Sequence, residues 1–141
     1  EMLAFQRLLD QGLPFAEQLL SEYGEYYPFA FAIDPDDLIV SVGVHTGDDH
    51  PASTTVIQDL KAALKQGALN GDYQTIALFY DVRVMDPNTQ VKTDAVAVFV
   101  EHQIGTTAYD FYHPYQMTNS KKVNFFKSFG NLSAKEIFTH G

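Results

Sequence analysis

The region from Tyr73 to Tyr112 constrains the fold most, because β-branched and aromatic residues alternate there with small or polar ones. This alternation is typical of β-strands. We predict strands at Tyr73 to Met85, Lys92 to His102 and Thr106 to Tyr112, joined by a turn at Asp86-Pro87-Asn88 and by a turn through Gly105. Strands joined by such short links pair antiparallel.

The N-terminal region combines a helix pattern with a hairpin pattern. Apolar residues recur every three or four positions from Met2 to Tyr23, and Gly24 supplies a helix stop. Gly12 and Pro14 interrupt the pattern, so we expect a kink or two short helices. Strands are predicted at Tyr27 to Ile33 and Leu38 to Val44, around the turn sequence Asp34-Pro35-Asp36-Asp37.

A second amphipathic helix is predicted from Pro51 to near Gly67. Asp48, Asp49 or Ser53 is expected to cap its start. The final residues, 116–141, contain many aromatic side chains without a clear period, so their conformation is left unassigned.

These elements predict one α+β domain over residues 1–141, with two main helices and an antiparallel sheet of about five strands in the order α-β-β-α-β-β-β. A chain of 141 residues can bury a sizeable core. In element order alone the chain resembles roadblock and profilin-like modules, which are mostly binding scaffolds. Because fold does not imply function, this likeness assigns none.

Composition removes several classes of function. The chain has no cysteine, which excludes thiol nucleophiles and disulfide scaffolds and fits a cytoplasmic location. A net charge of −9 opposes nucleic acid binding, and no apolar run predicts a membrane span or a secretion signal. The charge is uneven: carboxylates occur without Lys or Arg from Leu8 to Leu60, whereas Lys121, Lys122, Lys127 and Lys135 cluster near the end. This asymmetry indicates either a solvated acidic surface, partly neutralised by the basic tail, or a docking face for a basic partner.

Strand alternation predicts two faces of the sheet. One face is expected to carry Ile76, Leu78, Tyr80, Val82 and Val84 with Val96, Val98 and Val100, under the helices. The other is expected to carry Phe79, Asp81, Arg83, Phe99 and Glu101, with Phe99 opposite Tyr109 and Ala97 opposite Phe111. So apolar a face needs a lid, for which we consider the aromatic tail, a second copy of the chain in a homodimer, or a ligand or partner. The candidate interaction residues are Phe79, Asp81, Arg83, Phe99, Tyr109 and Phe111.

Two clusters could carry chemistry. His45, Asp48, Asp49 and His50 are metal-ligand types, but their spacing matches no recognisable metal site, and helix capping explains them more simply. Asp81, Arg83 and Glu101 could bind an ionic ligand, although a structural ion pair is the more common reason for such a group. No glycine-flanked serine and no phosphate loop occurs. The sequence therefore indicates no catalytic residue, no cofactor and no established metal site.

Several short words occur along the chain: Glu25-Tyr26-Tyr27-Pro28-Phe29, Asp49-His50-Pro51, Tyr80-Asp81-Val82-Arg83-Val84, Asp94-Ala95-Val96, Glu101-His102 and Pro114-Tyr115. In these words the chain resembles a family of small uncharacterised bacterial proteins. The resemblance implies a bacterial origin and stand-alone existence, and it implies no activity.

The sequence favours a non-enzymatic binding protein, for example an acidic inhibitor or immunity-type protein whose face from Asp34 to Asp49 meets a basic partner. The alternative is a small enzyme or ligand-binding domain with a pocket near the His45 to His50 loop or the Asp81 and Arg83 pair. A third class is a self-assembling structural protein.

Overall fold

The computed structural model describes residues 1–44 and 50–139 of the chain. Its elements are α1 Met2–Tyr23, β1 Phe29–Ile33, β2 Ile39–Val42, α2 Ser53–Leu69, β3 Thr75–Asp86, β4 Val91–His102, β5 Thr107–Met117, β6 Val123–Phe125 and β7 Phe129–Ala134. The predicted α+β class and the order of the first seven elements are confirmed. Strands β6 and β7 come from the segment whose conformation the sequence left unassigned.

All pairings of the described strands are antiparallel, in the order β2-β1-β3-β4-β5-β6. Strand β7 also pairs with β5, alongside residues 107–112, while β6 lies beside residues 115–117. The tail therefore extends the sheet along the outer edge of β5.

Helix α1 forms because its apolar stripe packs on the sheet, with Phe5, Leu8, Ala16 and Leu20 buried. It runs as one element through Pro14, so the alternative of two short helices is wrong. Gly24 ends it as predicted, in the left-handed conformation at φ 76°, with its N–H bonded to the Leu20 carbonyl at 2.8 Å.

Helix α2 begins at Ser53 and buries Val56, Leu60 and Leu64 on one stripe. Its N-cap residue is Ala52, which makes no side-chain capping hydrogen bond, so the prediction that Ser53 is the cap is wrong. The other two candidate caps, Asp48 and Asp49, lie outside the described residues.

Both faces of the sheet are covered from within the chain. Helix α1 packs on a cluster that includes Ala77, Phe79, Val96, Val98 and Val100. Helix α2 and the last described residues cover a cluster on the opposite face, which includes Ile76, Leu78, Phe99, Ala108, Ile137 and Phe138. Of the three coverings considered above, the tail therefore contributes, and it covers part of the face that also packs against α2.

The predicted assignment of side chains to faces is wrong by one residue of register. Phe79 lies opposite Val98, and Leu78 lies opposite Phe99. The same shift affects the next pair of strands, in which Tyr109 lies opposite Val100 and not Phe99. By the same register Phe111 lies opposite Val98, and Ala97 lies opposite Tyr112.

Turn length explains the error. Asp86 pairs with Val91, so residues 87–90 form a loop with an even number of residues. The three-residue turn assumed from the sequence would pair even-numbered residues with even-numbered ones. The four-residue loop pairs even-numbered residues with odd-numbered ones. A change of one residue moves an entire set of side chains to the other face.

Candidate functional site

A cleft of about 740 Å³ opens where the end of α1 and the following segment meet the start of β1. Gly24 ends the helix, and the chain then turns to enter β1 at Phe29, which brings side chains from both elements to one rim. Its walls are mostly aromatic or apolar, and they comprise Phe15, Leu19, Tyr23, Glu25, Tyr26, Tyr27, Pro28, Phe29, Ser53 and Asp81. We call this cleft the aromatic cleft.

A second cleft of about 610 Å³ shares Glu25 and Asp81 with the aromatic cleft. Its walls are more polar, and they comprise Gly24, Glu25, Asp81, Asp94, Tyr115, Gln116 and Met117. We call it the acidic cleft. Because Asp81 lines both clefts, its carboxylate stands at their junction.

Asp81 is held in place by Tyr115 from β5. The Tyr115 hydroxyl donates a hydrogen bond to Asp81 Oδ1 at 2.8 Å, and the Tyr115 side chain is buried. Burial raises the pKa of Asp81, an effect that the Tyr115 hydrogen bond partly opposes. Burial and the hydrogen bond to Asp81 also raise the pKa of Tyr115, so its hydroxyl remains a donor over the physiological pH range.

Tyr26 adds a second hydroxyl near this carboxylate. Its ring lines the aromatic cleft, while its hydroxyl is buried without a hydrogen-bond partner among the described residues. Burial, followed by the nearby Asp81 carboxylate, raises the pKa of Tyr26. A buried polar group without a partner is uncommon and calls for an explanation.

The charged residues that line the two clefts, among those described, are all acidic. Glu25, Asp81 and Asp94 are carboxylates, and no Lys or Arg occurs among the described residues that line either cleft. Arg83 pairs at the rim with Asp94, with 3.3 Å between Nη1 and Oδ1, and both side chains are more than half exposed. The arrangement therefore suits a cationic group beside an aromatic wall.

The six candidate interaction residues divide between different environments. Asp81 reaches the clefts, while Phe79 is fully buried beneath α1 and stacks on Phe29 with 4.9 Å between ring centroids. Tyr109 and Phe111 stack on each other at 5.8 Å, and Phe5 of α1 packs edge-on against Tyr109. These side chains share the face under α1.

Phe99 and Glu101 lie on the opposite face, so the predicted grouping of Asp81, Arg83 and Glu101 is wrong. The cause is the same one-residue register, which pairs Glu101 with Ile76. Glu101 is fully buried and accepts hydrogen bonds from the backbone N–H groups of Glu136, Ile137 and Phe138. It anchors the tail.

Of the weak metal candidates, His45, Asp48 and Asp49 lie outside the described residues. His50 is described, and its Nδ1 lies 3.5 Å from the Tyr27 hydroxyl. Within residues 1–44 and 50–139, no three His, Asp or Glu side chains are grouped so that they could hold a metal ion.

Sequence reasoning did not select Glu25, Tyr26, Asp94 and Tyr115 as site residues. All four belong to the short words that carry the resemblance described above, and the fold brings these four residues to the clefts at Asp81. With the correct strand register, the sequence would have placed these residues close to Asp81 and so indicated the site.

The chain matches no protein-family model, no curated protein and no solved structure. The resemblances to a bacterial family and to roadblock and profilin-like modules therefore stay predictions. In the part of the chain that the structure describes, no helix combines the length and the apolar character needed to cross a bilayer.

Proposed function

We propose that this protein is a non-enzymatic binding protein that recognises a basic partner protein through the aromatic and acidic clefts at Asp81. The observation that carries the proposal is the position of Asp81 at the junction of two clefts whose described charged residues are all carboxylates. An uncompensated carboxylate in a concave, partly apolar site attracts a complementary cation.

The charge of the chain supports the same partner class. The net charge of −9 would speed an encounter with a basic protein and would repel nucleic acid. Complementary charge of this kind is the property expected of an acidic inhibitor or immunity-type protein. A cytoplasmic location, which the absence of cysteine favours, is part of this proposal.

A second candidate function is a ligand-binding domain or small enzyme that uses the same aromatic cleft. The volume of about 740 Å³ favours it, because pockets for small molecules span roughly 300–1,000 Å³. The raised pKa of Asp81 also favours it, since perturbed carboxyl groups are common in active sites.

The test is affinity capture from the cells that make the protein, with the wild type and two immobilised variants. Asp81→Asn removes the charge at the cleft junction. Asp36→Asn is the matched control, because Asp36 is exposed in the turn at the opposite end of β1 and loses the same charge. Thermal unfolding of each variant checks that it is folded.

We expect the wild type and Asp36→Asn to retain a basic protein at about 50 mM NaCl and to release it near 500 mM. Asp81→Asn should fail to retain it, and chemical cross-links in the complex should map to the cleft walls. Retention of the same protein by Asp81→Asn, or the absence of any basic protein, would reject the proposal. A small molecule bound at the cleft instead would favour the second candidate.

A further inference from the structure

The hydrogen bonding at Asp81 restricts which cation the clefts can hold. Tyr115 already donates to Asp81 Oδ1, so a cation that used both carboxylate oxygens would share Oδ1 with the Tyr115 hydroxyl. An arginine guanidinium binds a carboxylate best through two parallel hydrogen bonds to both oxygens. An ammonium group is a compact point charge with three donors and needs no such pair of oxygens.

The neighbouring acceptors are separate from Asp81. Glu25 comes from the segment between α1 and β1 and lines both clefts, and Asp94, whose Oδ1 pairs with Arg83, lines the acidic cleft from the neighbouring strand β4. Acceptors on three different elements suit donors that point in three directions, as those of an ammonium do.

The aromatic cleft offers a wall for an apolar stem. Phe15 and Phe29 pack edge to face with 4.9 Å between ring centroids, and Tyr23 and Tyr27 are exposed at the rim. A lysine side chain buries its four methylene groups along apolar surface while its charged end reaches a polar site. Rings beside the ammonium add cation–π attraction.

The hydroxyl of Tyr26 adds a polar group close to Asp81, and it is one of three buried side-chain atoms without a hydrogen-bond partner among the described residues. It is buried near Asp81, and no described residue satisfies it. Native structures leave few such groups, and a polar group of a bound partner is one way to satisfy this hydroxyl.

We propose that the clefts accept one lysine side chain of the basic partner, with its ammonium at Asp81 and its stem along the aromatic wall. This inference rests on the proposed function and adds the identity of the inserted side chain. It predicts selectivity for lysine over arginine at this site.

The test uses three blocked pentapeptides, acetyl-Ala-Ala-X-Ala-Ala-amide, in which X is lysine, arginine or norleucine. Each is titrated into the full-length ¹⁵N-labelled protein and followed by NMR. Norleucine keeps the apolar stem without the charge, so it reports what the aromatic wall contributes alone. The backbone amides of residues 25–27, of Phe29 and of Asp81 report binding at the clefts.

We expect the lysine peptide to bind about tenfold more tightly than the norleucine peptide, as one charge-assisted hydrogen bond implies. The arginine peptide should bind several-fold more weakly than the lysine peptide. Asp81→Asn should remove the advantage of lysine over norleucine, and Asp36→Asn should retain it.

Equal or tighter binding of the arginine peptide would overturn the lysine assignment and leave the proposed recognition of a basic partner intact. Binding of lysine that Asp81→Asn does not weaken, or no binding of any peptide, would also overturn it. The capture experiment separately decides whether the proposed function survives.

Discussion

Asp81 shows how a single residue can be unfavourable for the isolated fold and useful for recognition. Its carboxyl group is partly desolvated, and burial raises its pKa despite the hydrogen bond from Tyr115. A raised pKa means that the fold disfavours the charged form of this group. A cation at the clefts would reverse that preference, so binding would stabilise the charge that the free protein tolerates poorly.

The partly buried imidazole of His113 should make the stability of the protein depend on pH. It faces Val96 across the β4–β5 pairing, and its Nε2 is buried without a partner among the residues described. Burial lowers the pKa of His113 below its usual value of 6.5. Protons therefore bind the unfolded chain preferentially, and the stability present above pH 6.5 is lost as the pH falls below that value.

Replacement of His113 by Phe should reduce this loss of stability between about pH 7 and pH 5. Urea unfolding at several pH values measures it. Part of the slope should remain, because burial also lowers the pKa of His102. Parallel stability curves for the variant and the wild type would show that His113 is not the group responsible.

At the level of single residues, the sequence indicated Asp81 but not its surroundings. A carboxylate in a strand of apolar residues is visible in the sequence. The partners Tyr115 and Tyr26 come from distant segments, and only the strand pairing brings them to Asp81. The sequence also placed Arg83 among the candidate interaction residues, whereas the structure pairs it with Asp94 at the rim.

At the level of elements, helix α1 depends on Gly12. A Cβ atom placed there would lie 2.0 Å from Cζ of the buried Phe79 ring. The sequence suggested that Gly12 weakens the helix, but the structure shows that it lets the helix approach the sheet. Close packing against an aromatic ring outweighs the modest helix propensity of glycine.

Gly12→Ala should therefore destabilise the protein, although alanine favours helices. We expect a loss of about 1–3 kcal/mol in the free energy of unfolding, as for other overpacked cores. Chemical denaturation measures it, and Gln11→Ala at the exposed neighbouring position is the control. An increase in the stability of Gly12→Ala would mean that α1 does not sit this close to Phe79.

The tail, at residues 136–138, is held in place by the side chain of Glu101. The buried Glu101 carboxylate accepts a hydrogen bond from the backbone N–H of Glu136 at 2.7 Å. Both of its oxygens lie 3.1 Å from the backbone nitrogen of Ile137, and it also accepts a hydrogen bond from the N–H of Phe138. Ile137 and Phe138 then cover the apolar cluster around Phe99. One carboxylate thus satisfies backbone donors that burial would otherwise leave unpaired.

Glu101→Gln should loosen the tail, because the amide presents a donor to backbone N–H groups and removes the charge that strengthens those hydrogen bonds. We expect the free energy of unfolding to fall by about 2–4 kcal/mol. Hydrogen exchange of the amides of residues 136–138 should accelerate more than exchange in β3 and β4. Glu136→Gln is the control, because Glu136 forms an exposed pair with Lys61 at 3.1 Å, of a kind that contributes less than about 1 kcal/mol.

The types of the elements were predictable from the sequence because they depend on local residue patterns. The contacts between elements were not, because they depend on how the strands pair. Alternation identified β3, β4 and β5, and an apolar stripe identified both helices. The register between strands depends on the number of residues in each turn, which the sequence did not fix. Strands β6 and β7 have no alternation of their own to reveal them, since most of their side chains are exposed and their hydrogen bonds to β5 define them.

At the level of the whole molecule, two electrostatic effects oppose each other. A net charge of −9 repels itself in the folded state. Among the residues that the structure describes, three ion pairs attract, namely Arg7–Asp37, Lys61–Glu136 and Arg83–Asp94. All three are largely exposed, and exposed pairs contribute little to stability. Self-repulsion should therefore dominate the response of the free protein to salt.

Salt should stabilise the free protein and weaken its complex over the same range. Between about 20 and 300 mM NaCl, screening should raise the midpoint of thermal unfolding by a few degrees. Over that range, affinity for the basic partner should fall, because the same screening weakens attraction at the clefts. Thermal unfolding and titration calorimetry in matched buffers measure the two effects.

The double variant Asp36→Asn/Asp72→Asn is the control, because it removes two exposed negative charges outside the clefts. Its unfolding midpoint should rise less with salt, while the loss of affinity with salt should persist at the cleft carboxylates. A midpoint that falls with salt would mean that the ion pairs outweigh the repulsion. Affinity that does not respond to salt would mean that the partner is held by the aromatic wall and not by charge.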